Sequence, residues 1–324
     1  MLTICILEIL MLLVNDNNMG QLIKTLALLI ALISTSQVWS MNKVIYGLDN
    51  REELSQSPFS YLSNSVASMV YKSARYDYDE EISSFLSSDL TEYRAGKTCS
   101  DMRFREQTTL ATCSGFLISD ELLVTAGHCV LNYGQYANNT YTGSCSQNFW
   151  VFNYGIDSIA KDEVTVSSED VYNCDKIVDG AYTDTKDYAI VKLGRKVVGK
   201  TPVKLNLNFD YTSEEEVFVV GNPSGLPTKI SNKAQISDSS QKHFFTSNLD
   251  TFAGNSGSAI FNSNAEVIGI LVSGETDYVL DQERSCYMVN HCVDVNGECI
   301  DPLVDKASGE TGTKITVLNR YFNK

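Results

Sequence analysis

The chain has 324 residues, 43% hydrophobic and 20% charged, which supports a globular fold with a sizeable core and excludes a disordered or fibrous one. Its 25 Lys and Arg against 40 Asp and Glu give a net charge of -15, which repels nucleic-acid phosphates and sets nucleic-acid binding aside. Residues 22–33, LIKTLALLIALI, place one lysine ahead of an apolar core too short to span a bilayer comfortably. STSQVWS follows, with Val38 and Ser40 spaced as at a signal-peptidase site. A signal peptide over 1–40 is expected, with Met19 as a candidate true start and the mature chain beginning near Met41. A retained membrane anchor is the alternative. Cleavage would leave a secreted or periplasmic protein with no stable membrane insertion.

Beyond the leader, residues 72–98 are polar and rich in serine and tyrosine, and read as an insertion or surface excursion. Short apolar or alternating runs then recur between turn residues. CSGFLI, ELLVTA, FWVFN, EVTV, YAIVKL, EVFVVG, SAIF, EVIGILV and KITVLN all read as strands, while long amphipathic helical stretches are scarce. The chain is therefore expected to be all-β, and its mature length suits two barrels better than one. Gly194, Gly199 and Pro202 interrupt the pattern across 193–205 and suggest a boundary between residues 41–200 and 201–324.

Of nine cysteines, Cys5 falls in the leader, leaving 99, 113, 129, 145, 174, 286, 292 and 299. An even set in an exported chain points to disulfides. Cys113 and Cys129 lie one short hairpin apart, and Cys145 with Cys174 is a second expected pair; the other four allow three pairings. A zinc site from Cys286, His291, Cys292 and Cys299 lacks a CxxC pair, so no metal is expected. No cofactor motif is present either.

The chain has three histidines. His128 stands out because a β-branched strand delivers it, Gly127 permits close backbone approach, and a Cys113–Cys129 disulfide would staple its turn. His243 and His291 have no comparable setting. DYAIVKL follows, where Asp187 opens an apolar strand and Asp184 is the rival acid; then DTFAGNSGSAIF sets Ser256 between Gly254 and Gly257. A serine hydroxyl can attack a carbonyl, an imidazole can take its proton, and a carboxylate can fix the tautomer. The N–H groups of Gly254 and Ser256 can converge as an oxyanion hole. The order His, Asp, Ser is the reverse of the α/β-hydrolase order, and GNSGS lacks the last glycine of that elbow.

TAGHC, DYAIVKL and GNSGS together resemble the catalytic motifs of the chymotrypsin-like serine peptidases. Asn255 before the serine, and KVIYGLDNRE at 43–52, are similar to the bacterial glutamyl-endopeptidase-like branch. The resemblance implies two six-stranded antiparallel β-barrels, the first carrying His128 and Asp187, the second carrying Ser256 and a cysteine-rich C-terminal part. It implies a secreted endopeptidase acting on peptide or protein substrates through an acyl-enzyme, and leaves the oligomeric state open.

Two departures matter. Asn255 cannot supply the buried charge of the trypsin-type activation switch. Leu271 stands where glutamate-specific members carry histidine, which disfavours glutamate at the cleaved position. Asp250, six residues before Ser256, holds the place that forms the base of the trypsin-like primary pocket, and Gly274 and Glu275 lie along the same expected pocket. A basic preference follows from that placement. A turn-capping role for Asp250 is the alternative. Outside this class, a protease-shaped binding module and an esterase with the same triad are the competing readings.

Overall fold

The computed structural model describes residues 45–93, 96–160, 163–295, 298–300 and 309–322. The expected leader lies outside them. All that follows belongs to the compact unit Ser40–Lys324.

Six antiparallel strands close the first barrel in the order Val171–Thr183, Asn148–Phe152, Val66–Tyr71, Cys113–Leu117, Leu122–Thr125, Lys186–Leu193, and back to Val171–Thr183. A seventh, Gln135–Thr140, pairs outside the ring with Val171–Thr183. The second barrel closes in the same way through Glu216–Gly221, Ala259–Asn262, Val267–Ser273, Glu310–Lys314, Phe244–Ser247 and Lys229–Asp238. Closure leaves no exposed edge within either ring. The fold is all-β, with two six-stranded barrels.

Alternation explains the faces. In Lys186–Leu193, Tyr188 and Ile190 share one face and Ala189, Val191 and Leu193 the other, and all five are buried in the main core cluster. The largest core cluster holds side chains of both barrels, including Phe116, Ile190, Phe218 and Phe261. Leu122 faces Lys192 and Thr125 faces Ala189. Continuing that antiparallel register past Thr125 brings His128 level with the start of the Asp187 strand.

Three expectations change. KITVLN is not a strand: Glu310–Lys314 ends the sheet and Ile315–Leu318 turns into a 3-10 helix. Its buried Ile315 and Leu318 are three apart, a helical spacing that seats one face in the core. The polar excursion at 72–98 is not bare surface. Arg75–Tyr78 and Ile82–Leu86 form a small sheet with Glu163–Ser167, and Phe85 and Val164 are buried beneath it. Finally, Arg51–Glu53 pairs with Lys229–Ser231, so this early segment adds to the second barrel.

Among the described residues three disulfides are formed: Cys113–Cys129, Cys145–Cys174 and Cys99–Cys286. The last removes Cys286 from any zinc set. Cys292 and Cys299 have side chains outside the described ones.

Candidate active site

The strand Leu122–Thr125 runs into a single 3-10 turn, Gly127–Cys129, that presents His128. A Cβ at residue 127 would lie 2.2 Å from the Ala181 carbonyl oxygen and 3.0 Å from Asp187 Oδ1, so only glycine fits. Cys129 is bonded to Cys113 on the neighbouring strand, which fixes the far side of the turn. Asp187 grips His128 twice. The His128 backbone N–H donates to Oδ1 at 3.0 Å, and Nδ1 lies 2.7 Å from Oδ2. Both side chains are mostly buried, at 6% and 11% exposure. With Nδ1–H given to the carboxylate, Nε2 is left as an acceptor. Nε2 is buried and has no hydrogen-bond partner among the described residues, Ser256 Oγ included. Asp184 does not compete for the imidazole: it is exposed and accepts the Tyr133 hydroxyl. His243 sits on the Lys314 strand, and His291 is exposed.

Ser256 is buried and its backbone is docked on the same first-barrel elements. Its carbonyl accepts the Ser114 N–H at 2.8 Å, and the Cys129 sulfur lies 3.7 Å away. Its loop is committed almost amide by amide. Asn255 N–H donates to Phe252 O, Gly257 N–H to Leu271 O, and Ser258 N–H to Asn255 O. The Gly254 and Ser256 N–H groups donate to no described residue. Two free amides flanking a fully bonded one is the arrangement an anion-binding pair needs. Gly254 has φ +94°, and a Cβ there would lie 2.4 Å from the Asn222 carbonyl oxygen.

Sequence reasoning missed the supports of this loop. Ser114 Oγ donates to the Gly254 carbonyl at 2.8 Å and accepts the Asn222 N–H at 3.0 Å. Asn222 Oδ1 in turn accepts Ser68 Oγ at 2.7 Å. Asp277 accepts the Ala253 N–H at 3.0 Å. The turn-rich stretch GNPSGLPTK, 221–229, packs against the same loop: the Ser224 N–H donates to the Ala253 carbonyl at 2.6 Å, and a Cβ at Gly254 would lie 2.8 Å from the Gly225 nitrogen. Asn255 is buried and accepts Ser258 Oγ at 3.3 Å, so a neutral side chain satisfies this place without an ion pair. Cys113, His128 and Cys129 cluster closely enough to suggest a metal, but both sulfurs are consumed in one disulfide.

The expected pocket residues are placed differently. Asp250 is buried, and both its oxygens are taken: Tyr46 N–H donates to Oδ1 and Asn50 N–H to Oδ2, each at 2.7 Å. It is a backbone tie between distant segments, reaching Tyr46 and Asn50 and not a neighbouring turn amide. Leu271 is fully buried in the second-barrel core with Phe245 and Ile260, so its side chain packs a core in place of lining a pocket. Gly274 is half-buried against the Glu310 carboxyl, whose atoms would meet a Cβ there at 2.1–2.3 Å.

Residues 113–270 match the family model described as the trypsin-like peptidase domain. The chain is a chymotrypsin-like serine peptidase. No curated protein matches the sequence of this peptidase. Among solved structures, a Glu endopeptidase bound to MPD is 16% identical, with a TM-score of 0.47, covering 86% of this peptidase and 98% of that chain. The Vibrio cholerae VesB protease is 12% identical, with a TM-score of 0.47, covering 86% of this peptidase and 67% of that chain.

Proposed function

We propose that this serine endopeptidase cleaves peptide bonds through Ser256, His128 and Asp187. The observation that supports it most is the double grip of Asp187 on His128, which leaves Nε2 as a buried, unspent acceptor. Ser256 Oγ attacks the scissile carbonyl carbon, and its proton passes to Nε2 as the C–O bond forms. Asp187 stays ionised and steadies the imidazolium. The carbonyl oxygen, now an oxyanion, takes the free Gly254 and Ser256 N–H groups. Collapse breaks the C–N bond, His128 gives the proton to the leaving amine, and the acyl group remains on Ser256. Water then repeats the sequence with roles reversed and frees the acid. Ser256→Ala should lower peptidase kcat roughly a thousand-fold or more with the fold intact. Unchanged turnover would reject the assignment.

Secretion or periplasmic residence is part of the proposal, supported by the leader-like LIKTLALLIALI and by three disulfides. Among the described residues, no helix is long and apolar enough to cross a membrane. A preference for Arg or Lys at the cleaved position now draws on other acids than Asp250. The Glu310 carboxyl lies against the half-buried Gly274 and accepts the Glu275 N–H and the Thr251 hydroxyl, and Glu275 is buried next to it; two buried acids at this place favour a cation over a glutamate. Comparing kcat/KM on matched peptides cleaved after Arg, Leu and Glu tests this, and a leading Glu peptide would overturn it.

A further inference from the structure

Residues 45–51 make an arc that the cleavage chemistry does not use. Its tip is open, with Leu48 83% exposed, yet its flanks are tightly held. Ile45 is fully buried with Phe252, Tyr278 and Val289, and its N–H donates to Asn290 O at 3.0 Å. Arg51 is also buried; its guanidinium lies 4.0 Å over the Phe252 ring and pairs with Asp49 at 2.7 Å. Arg103 caps the Asp49 and Arg51 carbonyls at 2.6 and 2.7 Å. Between these anchors, the Tyr46 and Asn50 amides converge on one carboxylate, Asp250.

Asp250 opens the segment that ends in Ser256. Phe252, under the Arg51 guanidinium, accepts the Asn255 N–H at 2.9 Å, the bond that sets the peptide between the two free amides. The other side of this loop is held by Ser114, Asp277 and Ser224. The arc thus reaches this loop from two hundred residues away or more, as the separations of 204 and 200 show.

We propose that Asp250 is a positioning residue: by accepting the Tyr46 and Asn50 amides it clamps the 45–51 arc onto the 250–256 loop and holds the Gly254 and Ser256 N–H groups where the oxyanion forms. The proposal rests on reading those two amides as an oxyanion hole. It assigns Asp250 to geometry, not to recognition of the substrate side chain.

The test uses the full chain carrying Asp250→Asn or Asp250→Ala, assayed well below its melting temperature. Loss of the clamp should lower kcat on the order of 100-fold with a much smaller change in KM. The affinity for a peptide aldehyde, which places an oxyanion in the hole, should fall in parallel with kcat. Amide exchange at Tyr46 and Asn50 should quicken. Should both variants misfold, Arg51→Met leaves Asp250 in place, loosens the other anchor, and should shift kcat in the same direction by less. A merely structural Asp250 would lower the melting temperature and leave kcat and aldehyde affinity within about twofold, and that result overturns the proposal. So does a loss confined to peptides cleaved after Arg or Lys. Full activity in Ser256→Ala would sink the underlying reading separately, since faster exchange at Tyr46 and Asn50 reports the clamp without any turnover.

Discussion

Replacing Asp187 with asparagine isolates what its carboxylate does. The change keeps shape and volume, so Oδ1 can still accept the His128 backbone N–H now held at 3.0 Å. The amide NH2 then faces Nδ1 across the former 2.7 Å contact. Two donors cannot share that contact, so Nδ1 must become the acceptor and the proton must move to Nε2. Nε2 then has no lone pair for the Ser256 proton. The expected loss is about 10⁴-fold in kcat, close to 5.5 kcal/mol of transition-state stabilisation. The assay is kcat on a peptide anilide, with circular dichroism to confirm the fold and a pH series to look for partial recovery at alkaline pH. Asp184→Asn is the control, because Asp184 is exposed and bonded to Tyr133; it should stay within about twofold. If Asp187→Asn keeps more than a tenth of the activity, the carboxylate does not set the tautomer and the reasoning fails.

Three further outcomes follow from the same geometry. Breaking the Cys113–Cys129 link, which closes a separation of 16 residues, should cost about 3 kcal/mol and lower Tm by roughly 5–10 °C, read by calorimetry on Cys113→Ala/Cys129→Ala; an unshifted Tm would mean the turn holds itself. Gly127→Ala should abolish activity and destabilise the first barrel, because the new methyl would sit 2.2 Å from the Ala181 carbonyl; normal kcat and Tm would show that the turn can retreat. Burial pushes the Asp250 carboxyl from 3.8 up to about 7, with the Asn50 and Tyr46 amides and Arg51 opposing and Asp49 adding to the rise. Between those values the folded state holds a proton the unfolded state has lost, so this group's contribution to stability falls as pH rises from about 4 to about 7. Wild type should therefore lose stability relative to Asp250→Asn across that range in urea titrations, and parallel curves would contradict the shift.

The proposed triad was easier to read in the sequence than the contacts that hold it. His128, Asp187 and Ser256 stood out because each sits where short-range rules are broken for a reason: a glycine that admits a carbonyl, an acid opening an apolar strand, a serine between glycines. The strand pattern gave all-β, yet the 13-residue strand Val171–Thr183 was not visible. Its polar Asp179 is buried because Arg320 and the Tyr188 hydroxyl satisfy it, which local pattern cannot foresee. Val66–Tyr71 was passed over for a related reason: Ser68 looks like a surface residue but is buried on Asn222. Asp250 was read by its count from Ser256. Its partners lie at residues 46 and 50, and no local spacing carries that contact. Leu271 was read by motif position, and the structure gives its side chain to the second-barrel core.

The central claim is that Ser256 is the nucleophile, and covalent capture tests it most directly. Wild-type protein treated with a fluorophosphonate should gain one adduct by intact mass, and peptide mapping should place it on Ser256, with His128→Ala reacting far more slowly. An adduct on another serine, or peptidase activity that survives complete labelling of Ser256, would contradict the account.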